Sequence, residues 1–231
     1  MSASKVLLIL GSGPNVGKSV AQAFIAKGYK VAHTSRKSRE NSNTADEINI
    51  AADLSKPESV AEVFTQVKEK LGIPSVVVYN AAAYNANEPK NPVSLPVSTF
   101  AQDLTINVTS VYAAAQQAVA GFEQLPNPAS RTFIYTGNIM NDKVVIGPLL
   151  TLGVGKSATA HIIQNAAAAY AEKGYKFYYG DERQPDGTPM YNEISGEAHA
   201  TAYVELAEGA EQGPWQYTFV KNQGYKDFSQ T

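Results

Sequence analysis

Apolar and polar positions follow two alternating rhythms along this chain. Short apolar runs rich in Val and Ile are each followed by a stretch in which apolar residues recur every three or four positions. The runs predict strands at 6–10, 30–34, 48–51, 75–80, 131–135, 175–179 and 215–220. The stretches between them predict helices at 16–27, 57–71, 105–125, 149–173 and 193–208, with a shorter helix capped by Ser98. The punctuation agrees. Gly28 leads into the second strand, Pro57 suits a first helical turn, and Gly72 and Gly174 stop helices.

Seven strands separated by helices predict an α/β fold: a Rossmann-like, doubly wound, seven-stranded parallel sheet in a single domain over 1–231. The run Val76-Val77-Val78 suits burial on both sheet faces. Two stretches break the rhythm, 81–96 with its Asn, Pro and Ala, and the polar 180–195. Loops of that length in compact domains are usually functional or disordered, and these two would shape a substrate pocket.

Composition narrows the classes. With 231 residues, 44% of them hydrophobic, the chain can bury a sizeable core. Its 19 basic and 21 acidic residues nearly cancel, which predicts no nucleic-acid partner and no membrane partner. The first ten residues hold an apolar run too short for a signal-peptide core or a membrane span. The absence of cysteine excludes disulfides, thiolate metal sites and a cysteine nucleophile, and fits a cytoplasmic protein. His33, His161 and His199 show no ligand spacing, so no metal is expected.

The candidate chemistry begins at the first turn. Gly11 ends the first strand, Gly13 allows a left-handed turn, and Gly17 lets the next helix pack close with its N–H groups on a pyrophosphate. Gly-Lys-Ser occurs twice, at 17–19 and 155–157. The glycine that a Walker A loop needs upstream is replaced by Ser12 in one copy and Leu150 in the other. A dinucleotide cradle is the better reading. At the end of the second strand an NAD site carries a carboxylate, whereas this chain reads His33-Thr34-Ser35-Arg36-Lys37-Ser38-Arg39, with none before Glu40. Ser35, Arg36 and Lys37 offer donors to a 2′-phosphate, so NADP(H) is the expected cofactor; a solvated basic turn is the bland alternative.

In order and spacing these landmarks resemble the short-chain dehydrogenase/reductase family over essentially the whole chain. The family's TGxxxGxG turn corresponds to Leu10-Gly11-Ser12-Gly13-Pro14-Asn15-Val16-Gly17. Asn15 stands for the middle glycine, and Asn is the residue that next most readily takes positive φ. Asp53, with Leu54 after it, matches the acidic residue that contacts adenine. Asn80-Ala81-Ala82-Ala83 matches the NNAG segment, with Tyr79 and Ala82 as departures, and Asn107 matches the helix asparagine that holds a water in the proton relay. The resemblance also implies YxxxK, in which the lysine lowers the phenol's pKa and binds ribose. Lys156 takes the lysine's place, but four positions earlier stands Leu152. The family's serine is replaced by Thr136 or Asn138. Tyr217 and Lys221 repeat the spacing in a strand, about 13 Å apart, too far for a direct hydrogen bond. The resemblance further implies a homodimer or homotetramer formed through the alanine-rich helices 105–125 and 149–173.

Two functions follow. One is an NADP(H)-dependent oxidoreductase acting on a small-molecule carbonyl or alcohol, with a nonstandard proton donor drawn from Asn138, Thr136, Lys156 or Tyr84 and with Asn107 retained. The other is a catalytically silent NADP(H)-binding sensor or scaffold, favoured by Leu152 and opposed by Asn107 and Lys156. His161 points to another helix face and is expected to pack. Asp181, Glu182 and Arg183 either contact substrate and nicotinamide or form a polar surface loop.

Overall fold

Burial on both faces marks the centre of the sheet. Strand β1 (Val6–Leu10) sends Val6, Leu8 and Leu10 into one core and Leu7 and Ile9 into the other. A period of two can do this only in a strand covered on both sides. The computed structural model describes residues 5–37 and 43–228. In it β2 (Lys30–Ser35), β3 (Glu47–Ala51), β4 (Val76–Tyr79), β5 (Thr132–Thr136), β6 (Lys176–Glu182) and β7 (Gln216–Val220) continue the parallel sheet. The order is β3-β2-β1-β4-β5-β6-β7, closed by β8 (Gly224–Tyr225). Chain direction across the sheet reverses between β1 and β4, and open sheets of this kind bind ligands outside the carboxyl ends of the strands at that point.

Helices α1 (Val16–Ala26) and α6 (Gly196–Glu208) pack on the face that takes Leu7 and Ile9. Helices α2 (Glu58–Lys70), α4 (Ser110–Phe122) and α5 (Leu150–Tyr170) cover the other, and α3 (Val97–Leu104) leads into α4. The alanine-rich faces of α4 and α5 border a surface groove of about 670 Å³ that includes Tyr112, Ala166 and His161. Among the described residues no helix is long and apolar enough to cross a membrane.

Several expectations are corrected. The sheet has eight strands, because β8 pairs antiparallel with β7. Two residues carry no periodic signal; the reversal depends on Asn222 and Gly224 taking positive φ (62° and 74°). Strand β6 runs three residues beyond 179, and Asp181, Glu182 and Arg183 are buried, so the surface-loop reading fails. Arg183 Nη2 and Nε lie 2.6 and 2.7 Å from Asp181 Oδ2, and Ser195 N–H donates to Glu182 Oε2 at 2.8 Å.

Helix 105–125 is not one regular helix. It opens with a π-helical turn, Thr105–Thr109, whose Ile106 carbonyl accepts from Tyr79 Oη (2.6 Å) and whose Asn107 carbonyl accepts from Thr159 Oγ1 (2.7 Å). Side-chain donors inserted into the ladder account for the bulge. Ser98 is not a cap, since α3 starts at Val97 with no side-chain cap bond, and α6 starts at Gly196 behind Ser195, whose hydroxyl accepts from Ala198 N–H at 3.2 Å.

Candidate active site

The glycine turn is built by close approach. Gly11 has φ 89°, and a Cβ there would lie 2.7 Å from Ala81 N, so no other residue fits on either count. A Cβ on Gly17 would lie 2.7 Å from Ser12 Cα, which fixes how closely α1 seats on the turn. Gly13 differs from expectation. The left-handed residue is Gly11, and a Cβ on Gly13 would meet nothing within 4 Å, so its role is to leave the surface above the turn open. Helix α1 starts beside it, behind Asn15, with no side-chain cap and no acidic residue in its first turn.

Asn15 is also corrected. Its φ is −96°, and its side chain, not its backbone, is what the fold uses. Nδ2 donates to Ile194 O (2.8 Å) and Oδ1 accepts from Gly196 N (3.0 Å), clasping the start of α6 to the turn. Asn15→Ala is expected to cost about 1–2 kcal/mol in urea unfolding, the net value of one to two such bonds; an unchanged midpoint would contradict the clasp. Asn80 ties the end of β4 to the same turn, with Nδ2 on Gly11 O at 2.9 Å. Beneath the turn His33 joins Ser12 and Glu47, at 2.8 Å from Nδ1 and 2.9 Å from Nε2. Glu47 can only accept, so Nε2 carries a proton toward it.

Arg36 and Lys37 are exposed at the end of β2. Ser35 Oγ donates to Lys37 O (2.7 Å), so this hydroxyl shapes the turn instead of facing outward. Ser38, Arg39 and Glu40 lie outside the described residues. Asp53 follows β3, exposed, its carboxyl held below the usual range by hydrogen bonds from Ser55 and, further down, by the Arg36 charge. Leu54 is buried and its carbonyl accepts from Ser110 Oγ at 2.7 Å.

Three tyrosines sit side by side at the ends of β4, β5 and β6. Tyr79, Tyr135 and Tyr179 occupy one register position, with ring centroids 6.1 and 5.6 Å apart. Tyr179 Oη donates to Asn138 O (2.6 Å) and accepts from Asn138 N (3.1 Å), and a Cβ on Gly137 would overlap its ring. Lys156 lies over Tyr135, 4.5 Å from the ring centroid, and Nζ donates to Thr136 O at 2.7 Å. Burial lowers its pKa to about 7, with the Asp181 carboxylate pulling the other way. Thr136 Oγ1 accepts from Tyr203 Oη at 2.9 Å. Asn138 Oδ1 accepts from Met140 N (3.0 Å), which leaves the amide Nδ2 as a donor.

These groups open on a cavity of about 470 Å³. Lys156, Thr136, Asn138, Asn80, Ala82 and Val16 line it together, so the structure brings the cradle and the candidate donors to one place. Glu182 and His199 line it too. Burial raises the Glu182 carboxyl, against the Ser195 N–H, and lowers His199 to about 4, so the imidazole is neutral near pH 7.

A family model described as enoyl-(acyl carrier protein) reductase matches residues 12–179. The short chain dehydrogenase/reductase dmxR12 of Cryptosporiopsis sp. (strain 8999) is 50% identical over 236 residues, covering 97% of this chain and 95% of that one. The chain belongs to the short-chain dehydrogenase/reductase family. The 7alpha-hydroxysteroid dehydrogenase of Clostridium sardiniense is 27% identical over 74% of this chain and 67% of its own length. Among solved structures, the short-chain dehydrogenase/reductase of Serratia marcescens superposes with a TM-score of 0.76 at 18% identity, over 94% and 95% of the two chains. ElxO, described with NADP bound, gives 0.77 at 17% identity over 94% and 96%.

Within this short-chain dehydrogenase/reductase, Leu152 is buried beside Ile139 and Met140 in the cavity wall. Asn107 is buried, with its side chain paired both ways to Ala83: Oδ1 accepts from Ala83 N (2.9 Å) and Nδ2 donates to Ala83 O (2.7 Å). Its carbonyl accepts from Thr159 Oγ1 at 2.7 Å. A Cβ on Gly155 would lie 2.6 Å from Asn107 Cβ, which explains a glycine next to Lys156. Tyr84 lines the cavity but is 59% exposed, and His161 faces the α4–α5 groove. The sequence carries no signal for Tyr203 and marks His199 only as a histidine without ligand spacing; for Tyr179, a tyrosine at the same place in three successive strands is a signal that alignment by register finds.

Proposed function

We propose that this chain is an NADP(H)-dependent oxidoreductase interconverting a carbonyl and an alcohol, with Lys156 as proton donor where Leu152 replaces the family's tyrosine. The observation that carries this reading is Lys156 itself: a buried ammonium at the cavity, oriented by Thr136 O, with a pKa near neutrality. The chain fits the cofactor. The open surface over Gly13 and the uncapped start of α1 suit a pyrophosphate, Arg36 and Lys37 a 2′-phosphate, and Asp53 and Asn80 the walls of the site. ElxO with NADP and BdcA with NADPH, the latter at a TM-score of 0.72 and 16% identity, share the fold.

When bound, the nicotinamide cofactor supplies the hydride. Asn138 Nδ2 donates to the substrate oxygen and fixes its position. Lys156 gives that oxygen the proton as the alkoxide forms, and the resulting amine regains a proton from water. Leu152, Ile139, Met140 and Leu149 keep the reacting end apolar. Asn107 holds the Ala83 segment against α5, and the α4–α5 groove is the face for assembly of two or four copies.

Turnover of NADPH with a panel of ketones, aldehydes and quinones tests the reading, and Lys156→Ala is expected to abolish it. Tight NADPH binding with no turnover across the panel would establish the silent sensor or scaffold instead. Replacing Arg36 and Lys37 by alanine is expected to weaken NADPH about tenfold or more and leave NADH unchanged, as loss of charge-assisted phosphate contacts would. Equal losses for both cofactors would count against recognition of the 2′-phosphate.

A further inference from the structure

We propose that Glu182 is the acceptor for the carboxamide N–H of the nicotinamide, an inference that rests on the NADP(H) reading above. Glu182 stands at the last position of β6 and its side chain is 1% exposed. Oε2 accepts from Ser195 N–H at 2.8 Å, and His199 Nδ1 lies 3.4 Å from it. His199 Nδ1 is also 2.9 Å from Ser195 O, a carbonyl that can only accept, so Nδ1 carries the proton. The rings of Tyr203 and Phe219 meet His199 edge-on at 5.5 and 5.1 Å and hold it in place. One carboxylate oxygen is thus held by the Ser195 N–H, with the His199 ring beside it. The other, Oε1, is buried with no hydrogen-bond partner among the described residues.

A buried carboxylate oxygen without a donor is costly, and a ligand that brings one recovers that cost. Glu182 borders the same cavity as Val16 of the glycine turn, Thr136 and Lys156. Lys156, the other strong donor there, is turned to Thr136 O. The Asn15 clasp holds Ile194 and Gly196, flanking Ser195, against the turn, so the carboxylate and the cradle keep a fixed relation. On a nicotinamide ring the group with N–H donors is the carboxamide.

The test is binding, not turnover. NADP⁺, its acetylpyridine analogue, and the 2′-phosphate-bearing adenosine half-cofactor are titrated into wild type, Glu182→Leu and Glu182→Gln. The acetylpyridine ring keeps the positive charge but has a methyl ketone where the amide was, so it isolates the N–H. Glu182→Leu is expected to bind NADP⁺ about tenfold more weakly, or about 1.4 kcal/mol, as loss of one charged hydrogen bond implies. The same variant should bind the acetylpyridine analogue within about twofold of wild type and the half-cofactor unchanged, because neither places an N–H on Glu182. Glu182→Gln, whose amide oxygen still accepts, should fall between. Equal losses for NADP⁺ and the analogue, or no loss for NADP⁺, would overturn the assignment. If Glu182→Leu does not fold, seen as lost half-cofactor binding, the same two comparisons on Glu182→Gln decide. Failure of wild type to bind the half-cofactor would overturn the NADP(H) reading itself, a separate outcome.

Discussion

Lys156→Met removes the proposed proton donor and is expected to lower NADPH-dependent turnover by about a thousandfold, within the range for a general acid. The same substitution should flatten the dependence of stability on pH. In the folded chain burial lowers the Lys156 pKa from 10.5 to about 7, with Asp181 opposing. Between those values the folded state holds fewer protons than the unfolded state, so wild-type stability rises with pH across the window and is lost as pH falls through the folded value. One such group contributes a slope of up to about 1.4 kcal/mol per pH unit. Methionine titrates nothing, and Lys176, lowered to about 8 by burial, is common to both proteins and cancels in the difference. Urea midpoints of the two proteins at neutral and alkaline pH measure it. Parallel curves, or retained turnover, would sink the assignment of Lys156.

Gly137→Ala is expected to destabilise the fold by about 3 kcal/mol, the upper range for overpacking, and to disturb Asn138 with it. The added methyl would stand inside the ring of Tyr179. That ring cannot retreat, because its hydroxyl is bonded both to Asn138 O and from Asn138 N, and Tyr135 lies 5.6 Å away. Gly147→Ala is the matched control. A Cβ there meets nothing within 4 Å and φ is not positive, so its effect should stay within about 0.5 kcal/mol. Equal urea midpoints for the two variants would show that the tyrosine row tolerates displacement.

The alternating period and the glycine spacing were legible because both are local. Side chains alternate across a pleated strand, and a turn that needs φ 89° at Gly11 excludes other residues wherever it occurs. Asn15 was legible as part of the turn but not in its manner of acting, since its partners Ile194 and Gly196 lie at the start of α6. Strand β6 was cut short for a related reason. Asp181, Glu182 and Arg183 read either as contacts to substrate and nicotinamide or as a polar surface loop, and their burial depends on the pairing of Arg183 with Asp181 and on Ser195 N–H, supplied to Glu182 by the next element.

The amino-acid sequence by itself determined the doubly wound sheet, the glycine turn and the family, because each follows from backbone sterics and from spacing within a few residues. The tertiary structure decided which polar groups meet: Tyr203 with Thr136, Tyr179 with Asn138, and Glu182 with Ser195 and His199. Strand register and helix docking set those meetings across 13 to 67 residues of chain, as do the burials that shift Lys156, Glu182 and His199. Desolvation is a property of the packed cavity, and no single segment carries it.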